Sequence, residues 1–437
     1  MVSRKIALET ISTELPRKCG IATFNSNFLK GIGNDERVII YKRNAIVKGP
    51  TRYSTYDKDV IRQINQYDPS SWEEAGNKIV RDSMRIKADY RSWKKYDADL
   101  GVVVQFEYGI YEDGQGKDHL IPLLKKLKEN NIVNIIIPHS VLEHPEREDK
   151  DKGAQYERIM MEALECTNQV ICLTPSAVDI LENRYGAPRE LLKHVDHGIN
   201  KLEIPYTRDA LKKGLNIEGR STYSSGGFFS EGKDIPVVLK ALSKLKQDYL
   251  YFCFGIDHPD VAEKARAFRR YCIQLSKELG QNPVLIGRGE RDKLGLDELK
   301  KYNLRNNKVV FFDKFLNDDD SLKSKIMSDL CIIANKGESQ ISSGELARAL
   351  EAWRIAIATS SPCSRDMEKE SGVFTVEHGS VDSLYSCINF IFSKSEEERR
   401  GLELANAVKG SLMYFEDKSK DIINILDTLI HFNRLYV

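Results

Sequence analysis

With 437 residues, 41% of them hydrophobic and 30% charged, the chain has the composition of a globular protein and is too long for one ordinary core. Its 66 basic and 65 acidic residues leave a formal charge of +1, which gives no global pull toward nucleic acid or an anionic membrane. The opening MVSRKIALETI has only a short strand-like apolar run, so no secretory signal is expected there. No window approaches the ~20 apolar residues of a membrane span.

The first half alternates strand-like and helix-like segments. RKIAL (4–8) and ERVIIY (36–41) predict strands around a helix running from about Ile21 to Lys30. GVVVQF (101–106) and IVNIIIP (132–138) predict two more strands, separated by the helix HLIPLLKKLKEN. QVICLT (169–174), the helix PSAVDILENRYG and ELLKHVDHGI follow. Continuous apolar strands between amphipathic helices predict a parallel sheet covered on both faces. The more polar stretch 49–97, with Tyr53, Tyr56, Tyr67, Trp72, Tyr90, Trp93 and Tyr96, reads as an elaboration within this first domain.

The second half repeats the architecture without repeating the sequence. Residues 200–220 read as a linker, and the strand candidates are STYSSGGFF, DYLYFCFG (248–255), KVVFFD (308–313), SDLCIIA (328–334), IAIAT (355–359) and GVFTV (372–376). The chain is expected to be helical beyond about 395. The domains predicted are thus 1–200, 201–395, and a C-terminal helical segment 396–437 packing back across them. The eight cysteines are scattered, and Cys172, Cys253 and Cys331 lie in apolar runs, as buried thiols of a reduced, cytoplasmic protein do. The eight histidines form no convincing metal set: His139 and His144 flank a proline-containing turn, and His194 and His197 sit in KHVDHG.

Residues 221–245 carry the strongest chemical signal. An apolar run ends in Gly226-Gly227-Phe228-Phe229, a turn Ser230-Glu231-Gly232-Lys233 follows, and a helix opens at Asp234 with Pro236 in its first turn. Val238, Leu242 and Leu245 mark its buried face. Glycines that admit close backbone approach, exposed N–H groups at a helix start and a lysine suit a diphosphate. Gly20 stands at a strand-to-helix turn, which serves either close approach to a sugar or phosphate or tight packing of the helix on its strand. Glu107 and His139 each follow a strand. Glu107 there can bind sugar hydroxyls or stabilise positive charge, or it is a solvated loop acid; His139 is a ligand contact or a structural histidine. In NKGESQISSGELARALEAW, Ser342 and Glu345 have capping-box spacing, and Ser342, Ser343 and Gly344 would offer N–H groups to an anion. Glu338 and Gln340 precede that helix as candidates for hydroxyl contacts.

In order and spacing these segments resemble glycosyltransferase family 4, over nearly the whole chain, and within it a mannosyltransferase-like branch. The segments are PRKCGIATF, QFEYGIY, IPHSVLEHP, HGI, GFFSEGK and QISSGELARAL. The resemblance implies an α/β, GT-B fold of two Rossmann-like doubly wound domains facing a central cleft. It implies a retaining hexosyltransferase with a metal-independent site and no cofactor. A GDP- or UDP-linked sugar would be co-substrate and a glycan, glycolipid or small molecule the acceptor. By this resemblance Gly20 belongs to the amino-terminal glycine loop, His139 contacts the transferred sugar, and Lys233 binds the donor diphosphate. Gln340 stands at the first glutamate of the family's paired motif. Taken with the reading of the residues themselves, the expected catalytic set is His139, Lys233 and Glu107. The donor set is Gly20, Gly226, Gly227, Lys233, Gln340, Ser342, Ser343, Gly344, Glu345 and Arg348.

The chain also departs from the pattern. Phe228 replaces an arginine, Asp234 a glycine, Arg348 the second paired glutamate, Trp353 a small residue and Phe106 a frequent histidine. These changes keep two other readings open: a binding or partner subunit of the same fold without turnover, and a sugar phosphorylase or nucleotide-sugar epimerase. Peripheral membrane contact is open too, because HLIPLLKKLKEN is basic and amphipathic, although such a helix can also pack on its own sheet.

Overall fold

The computed structural model describes residues 4–33, 35–49, 61–93, 97–113, 116–147, 150–201, 206–287 and 295–436. The chain forms two units, one of Met1–Asn200 with Ser339–Ser342 and Met413–Val437, the other of Lys201–Glu338 with Ser343–Leu412.

The amino-terminal unit runs β1 (Arg4–Ser12), α1 (Gly20–Ile32), β2 (Val38–Val47), β3 (Ile61–Asn65), α2 (Pro69–Trp93), β4 (Asp97–Phe106), α3 (Leu120–Glu129), β5 (Val133–Pro138), α4 (Lys150–Cys166), β6 (Gln169–Cys172), α5 (Pro175–Tyr185) and β7 (Leu192–His194). The strands form one parallel sheet in the order β3-β2-β1-β4-β5-β6-β7. Chain direction across the sheet reverses between β1 and β4, and the crevice at such a reversal is where open α/β sheets bind ligands. β5 is buried at every position, as a central strand covered on both faces must be.

The other unit runs α6 (Arg208–Gly214), β8 (Ser221–Ser225), α7 (Ile235–Ser243), β9 (Tyr249–Phe254), α8 (Ala262–Glu278), β10 (Pro283–Ile286), β11 (Val309–Phe312), α9 (Asp318–Ile326), β12 (Leu330–Ile333), α10 (Gly344–Glu351), β13 (Ala356–Thr359), α11 (Pro362–Glu368), β14 (Val373–Val376), α12 (Val381–Ser393) and α13 (Glu396–Ser411). Its strands are also parallel, in the order β10-β11-β9-β8-β12-β13-β14, with the reversal between β8 and β12. The last helix, α14 (Phe415–Tyr436), belongs to the amino-terminal unit and lies against α1.

Two elements differ from the sequence expectation. The stretch 49–97 is a structural part of the first sheet: β3 forms its edge, and Trp72, Ala75, Ile79 and Ile86 of α2 enter the main core. Polar residues on the outer face of α2 mask that apolar stripe in the sequence. Tyr53, Tyr56 and Tyr96 lie outside the described residues. The expected linker contains α6, whose Lys212 donates to Asp329 Oδ2 at 2.6 Å and to the Arg220 carbonyl at 3.0 Å. Lys212 thus ties this helix to residues that precede β8 and β12. The helix α3 buries Leu120, Ile121, Leu123, Leu124 and Leu127, in keeping with the reading that it packs on its own sheet. Among the described residues no helix is long and apolar enough to cross a membrane.

Candidate functional site

In the carboxy-terminal unit the chain leaves β8 at the sheet's reversal point, and there the Gly226–Gly227 turn begins. The loop is pinned by backbone bonds on both sides. Phe229 N donates to Ile256 O at 2.7 Å, Asp234 N to Ala334 O at 2.9 Å, and Lys336 N to Gly232 O at 2.9 Å. The close approach explains the glycines. A Cβ on Gly226 would lie 2.3 Å from Glu345 Oε2, and one on Gly255, at φ +135°, only 1.8 Å from the Gly227 carbonyl oxygen.

Lys233 closes this turn and is half-buried. Among the described residues its ammonium has no hydrogen-bond partner. Burial pulls its pKa below the ordinary lysine value, Glu345 works in the opposite direction, and Lys325 adds to the lowering. Lys325, on α9, is 1% exposed and donates to Glu345 Oε2 at 2.6 Å. Burial opposes its charge too, but Glu345 more than offsets that and its pKa is raised. Burial likewise works against the Glu345 carboxylate, and the two lysines together hold its pKa below the usual value. Two ammonium groups and one carboxylate thus leave a net positive charge beside a glycine turn, a place for an anion.

The expected Ser342–Glu345 capping box is not formed. Ser343 is the N-cap of α10, accepting from Leu346 N at 3.3 Å. Ser342 lies one residue too early, and its hydroxyl donates to the His139 carbonyl at 3.4 Å. Glu345 is drawn to the buried Lys325, a stronger partner than a helix-end N–H. Gly344 opens the helix with nothing within 4 Å of where a Cβ would stand. Arg348 is turned to Asp318 at 2.7 Å and to Glu351 at 3.0 Å, so its charge is engaged by these two carboxylates. Gln340 groups with the amino-terminal unit, as does its neighbour Ile341, which is buried in that unit's core. The motif QISSGELAR is therefore divided between the units. At the arginine position Phe228 packs against His258 and Phe315, with ring centroids 5.1 and 5.9 Å away. Trp353 has φ +57°, a conformation a bulky residue rarely adopts.

In the amino-terminal unit, Gly20 is the first residue of α1, exposed and with nothing within 4 Å of a would-be Cβ. The N-cap residue Cys19 makes no side-chain cap bond, so the first N–H groups of this helix are not satisfied by it. Glu107 directly follows β4 and accepts from Ser140 Oγ at 2.8 Å. Burial pushes its carboxyl up to about 7. His139 directly follows β5; its N–H donates to Phe106 O at 2.8 Å, and its Nε2 lies 2.9 Å from Gln105 Oε1. Burial, with His197 as a lesser influence, pushes the imidazole down to about 3, so it is neutral at ordinary pH. The sequence candidates Glu107, His139 and Ser342 thus meet at the ends of two adjoining strands.

Sequence reasoning missed Lys325, Gly255 and Gln105. Lys325 looks like an ordinary cation in the last turn of a polar helix. Gly255 closes an apolar strand and shows no partner until Gly227 is folded onto it. Gln105 lies within QFEYG but carries no chemistry until His139 faces it. A cavity of about 470 Å³ at the opposite ends of the second sheet's strands is lined by Arg208, Lys212, Asp329 and Glu403, whose charges pair with one another. It lies away from the glycine turn. Among the described residues no three His, Cys, Asp or Glu side chains are grouped to hold a metal.

No protein-family model and no curated protein matches the chain. Solved structures do match. A glycosyltransferase from Rickettsia africae superposes with a TM-score of 0.65 at 15% identity, covering 98% of this chain and 99% of that one. A sucrose-phosphate synthase from Thermosynechococcus elongatus gives 0.66 at 14%, covering 98% and 100%. Anabaena HepE in complex with UDP gives 0.65 at 12%, covering 97% and 100%. At these identities the likeness defines the fold, which is GT-B, an α/β architecture of two Rossmann-like parallel sheets.

Proposed function

We propose that this protein is a retaining glycosyltransferase, transferring a hexose from a UDP- or GDP-linked donor to a glycan, glycolipid or small-molecule acceptor without a metal ion. The observation that carries this reading is the Lys233 ammonium, half-buried and without a hydrogen-bond partner among the described residues, beside the Gly226–Gly227 turn at the sheet's reversal point. Breaking the bond between a sugar and a diphosphate builds negative charge on the leaving phosphate. A preorganised ammonium and the N–H groups of the glycine turn and of Ser343 and Gly344 lower that barrier by a few kcal/mol per group, roughly. Anabaena HepE, similar in fold, is described in complex with UDP and with UDP-glucose. In the amino-terminal unit, neutral His139 and the largely desolvated Glu107 are suited to orient uncharged hydroxyls. Eight unpaired cysteines, six of them buried, agree with a reducing, cytoplasmic setting.

The decisive experiment is Lys233→Ala. Turnover with a nucleotide-sugar panel falls by well over tenfold while the circular-dichroism spectrum and melting temperature hold. Wild-type turnover in that variant removes the basis of the mechanism. A second reading, a nucleotide-sugar-binding subunit without turnover, is favoured by Phe228, whose ring packs on His258 and Phe315 where relatives supply a cation. Calorimetric binding of a nucleotide sugar with no transfer to any acceptor would support it.

A further inference from the structure

Behind His139 lies a line of buried amides that ends on a carboxylate. Asn25 Nδ2 donates to Glu14 Oε1 at 2.7 Å, Gln105 Nε2 donates to Asn25 Oδ1 at 3.4 Å, and Gln105 Oε1 stands 2.9 Å from His139 Nε2. Asn25 and Gln105 are 0% exposed and Glu14 is 2% exposed. The residues come from the end of β1, from α1, from β4 and from the end of β5, so only the folded sheet assembles them.

The order of donors and acceptors along this line follows from its anionic end. A carboxylate only accepts, and the Arg43 guanidinium 3.9 Å from the other Glu14 oxygen favours its charge. Asn25 must therefore turn its amide nitrogen toward Glu14 and its oxygen toward Gln105. That oxygen also only accepts, so Gln105 presents nitrogen to Asn25 and oxygen to His139. The ring nitrogen facing Gln105 must then carry the hydrogen. Inverting both amides would set the Asn25 oxygen against the Glu14 carboxylate, two buried acceptors with no proton between them. A neutral imidazole has one N–H, so with the hydrogen on Nε2 the lone pair is on Nδ1. Among the described residues Nδ1 has no hydrogen-bond partner.

We propose that Glu14, Asn25 and Gln105 are positioning residues that hold His139 in its Nε2–H tautomer, so that Nδ1 accepts a hydrogen bond from a hydroxyl of the bound sugar. This rests on the glycosyltransferase reading for the identity of the ligand, but not for the tautomer. It also sets a specificity: an acceptor nitrogen receives a hydroxyl and offers nothing to a carboxylate or carbonyl oxygen. A deoxy sugar lacking that hydroxyl leaves Nδ1 unpaired.

The test is nitrogen-15 NMR of histidine-labelled protein at pH 8, with His139 assigned by the signals lost in His139→Gln. The wild type shows a protonated Nε2 and an unprotonated Nδ1. In Glu14→Gln the anion that orients the line is gone, and in Gln105→Leu the acceptor is gone; each variant shifts a tenth or more of His139 to the Nδ1–H form. A wild-type spectrum with Nδ1 protonated overturns the proposal even if neither variant folds. So do folded variants whose His139 signals are unchanged. Where turnover is measurable, kcat falls about tenfold or more in both variants while donor KM stays within about twofold. The predicted spectra without turnover on any nucleotide sugar would leave the tautomer assignment standing and count against the glycosyltransferase reading alone.

Discussion

Glu107 binds its proton more tightly in the folded protein, where burial lifts its pKa from 4.5 to about 7. Its stabilising contribution is therefore complete below pH 4.5 and is lost as the pH rises through 7, on the order of 3 kcal/mol in all. His139 runs the other way: its pKa falls from 6.5 to about 3, so the folded state loses stability as the pH drops below 6.5. Glu107→Gln removes only the first effect. Denaturant titrations from pH 4.5 to 8 should show the wild type losing about 3 kcal/mol relative to the variant. A difference that does not change with pH refutes the buried, proton-binding carboxyl. Gly20 is a different kind of residue. With open space where its Cβ would be, Gly20→Ala costs the fold nothing and favours the helix by up to about 1 kcal/mol. If substrate approaches this helix start, the variant melts no lower than the wild type yet loses at least about tenfold in kcat/KM. Unchanged kinetics would assign Gly20 to packing history rather than to the substrate.

At the scale of elements, the join between α9 and α10 contains a buried ion pair, Lys325–Glu345, beside the more exposed Arg348–Asp318 pair. Lys325→Met leaves the Glu345 carboxylate without its partner and should cost about 3 kcal/mol or more in urea unfolding, most of which the double variant with Glu345→Met recovers. Full additivity of the two single losses would show that the pair does not act as a unit. This pair was invisible in the sequence, because a lysine in the last turn of DDDSLKSKI reads as helix-dipole compensation and a glutamate three residues after a serine reads as a cap. The elements themselves were far more legible. VNIIIP and LCII are apolar without interruption because parallel strands are buried on both faces. The helix after Lys233 was marked by Pro236 and by Val238, Leu242 and Leu245, all buried. α2 was the exception, since its apolar positions are spaced one per turn among charges.

For the whole molecule, the amino-terminal unit is completed by the far end of the chain. Phe415, Ile422, Ile423, Leu426 and Ile430 of α14 are buried in its second core layer. Gly31 and Gly198 make room for Phe415, since a Cβ on either would come within 2.4 Å of it. Five such side chains are worth about 10 kcal/mol of burial, the size of a domain's entire net stability. A chain ending at Leu412 should therefore lose hydrogen-exchange protection throughout residues 4–200, while the carboxy-terminal unit keeps its own. Retained protection in β1 and β4 would refute the assignment of α14 to that core. The sequence by itself determined what depends on neighbours along the chain: buried parallel strands, the glycine turn before a capped helix, the lysine that ends it, and two α/β halves. Only the tertiary structure decided which distant groups meet. Lys325 beneath Glu345, Gly255 against Gly227, the Glu14–Asn25–Gln105 line behind His139 and α14 on α1 join residues from 11 to 391 positions apart. A long-range contact follows from strand order and register, and a local pattern of residues carries neither.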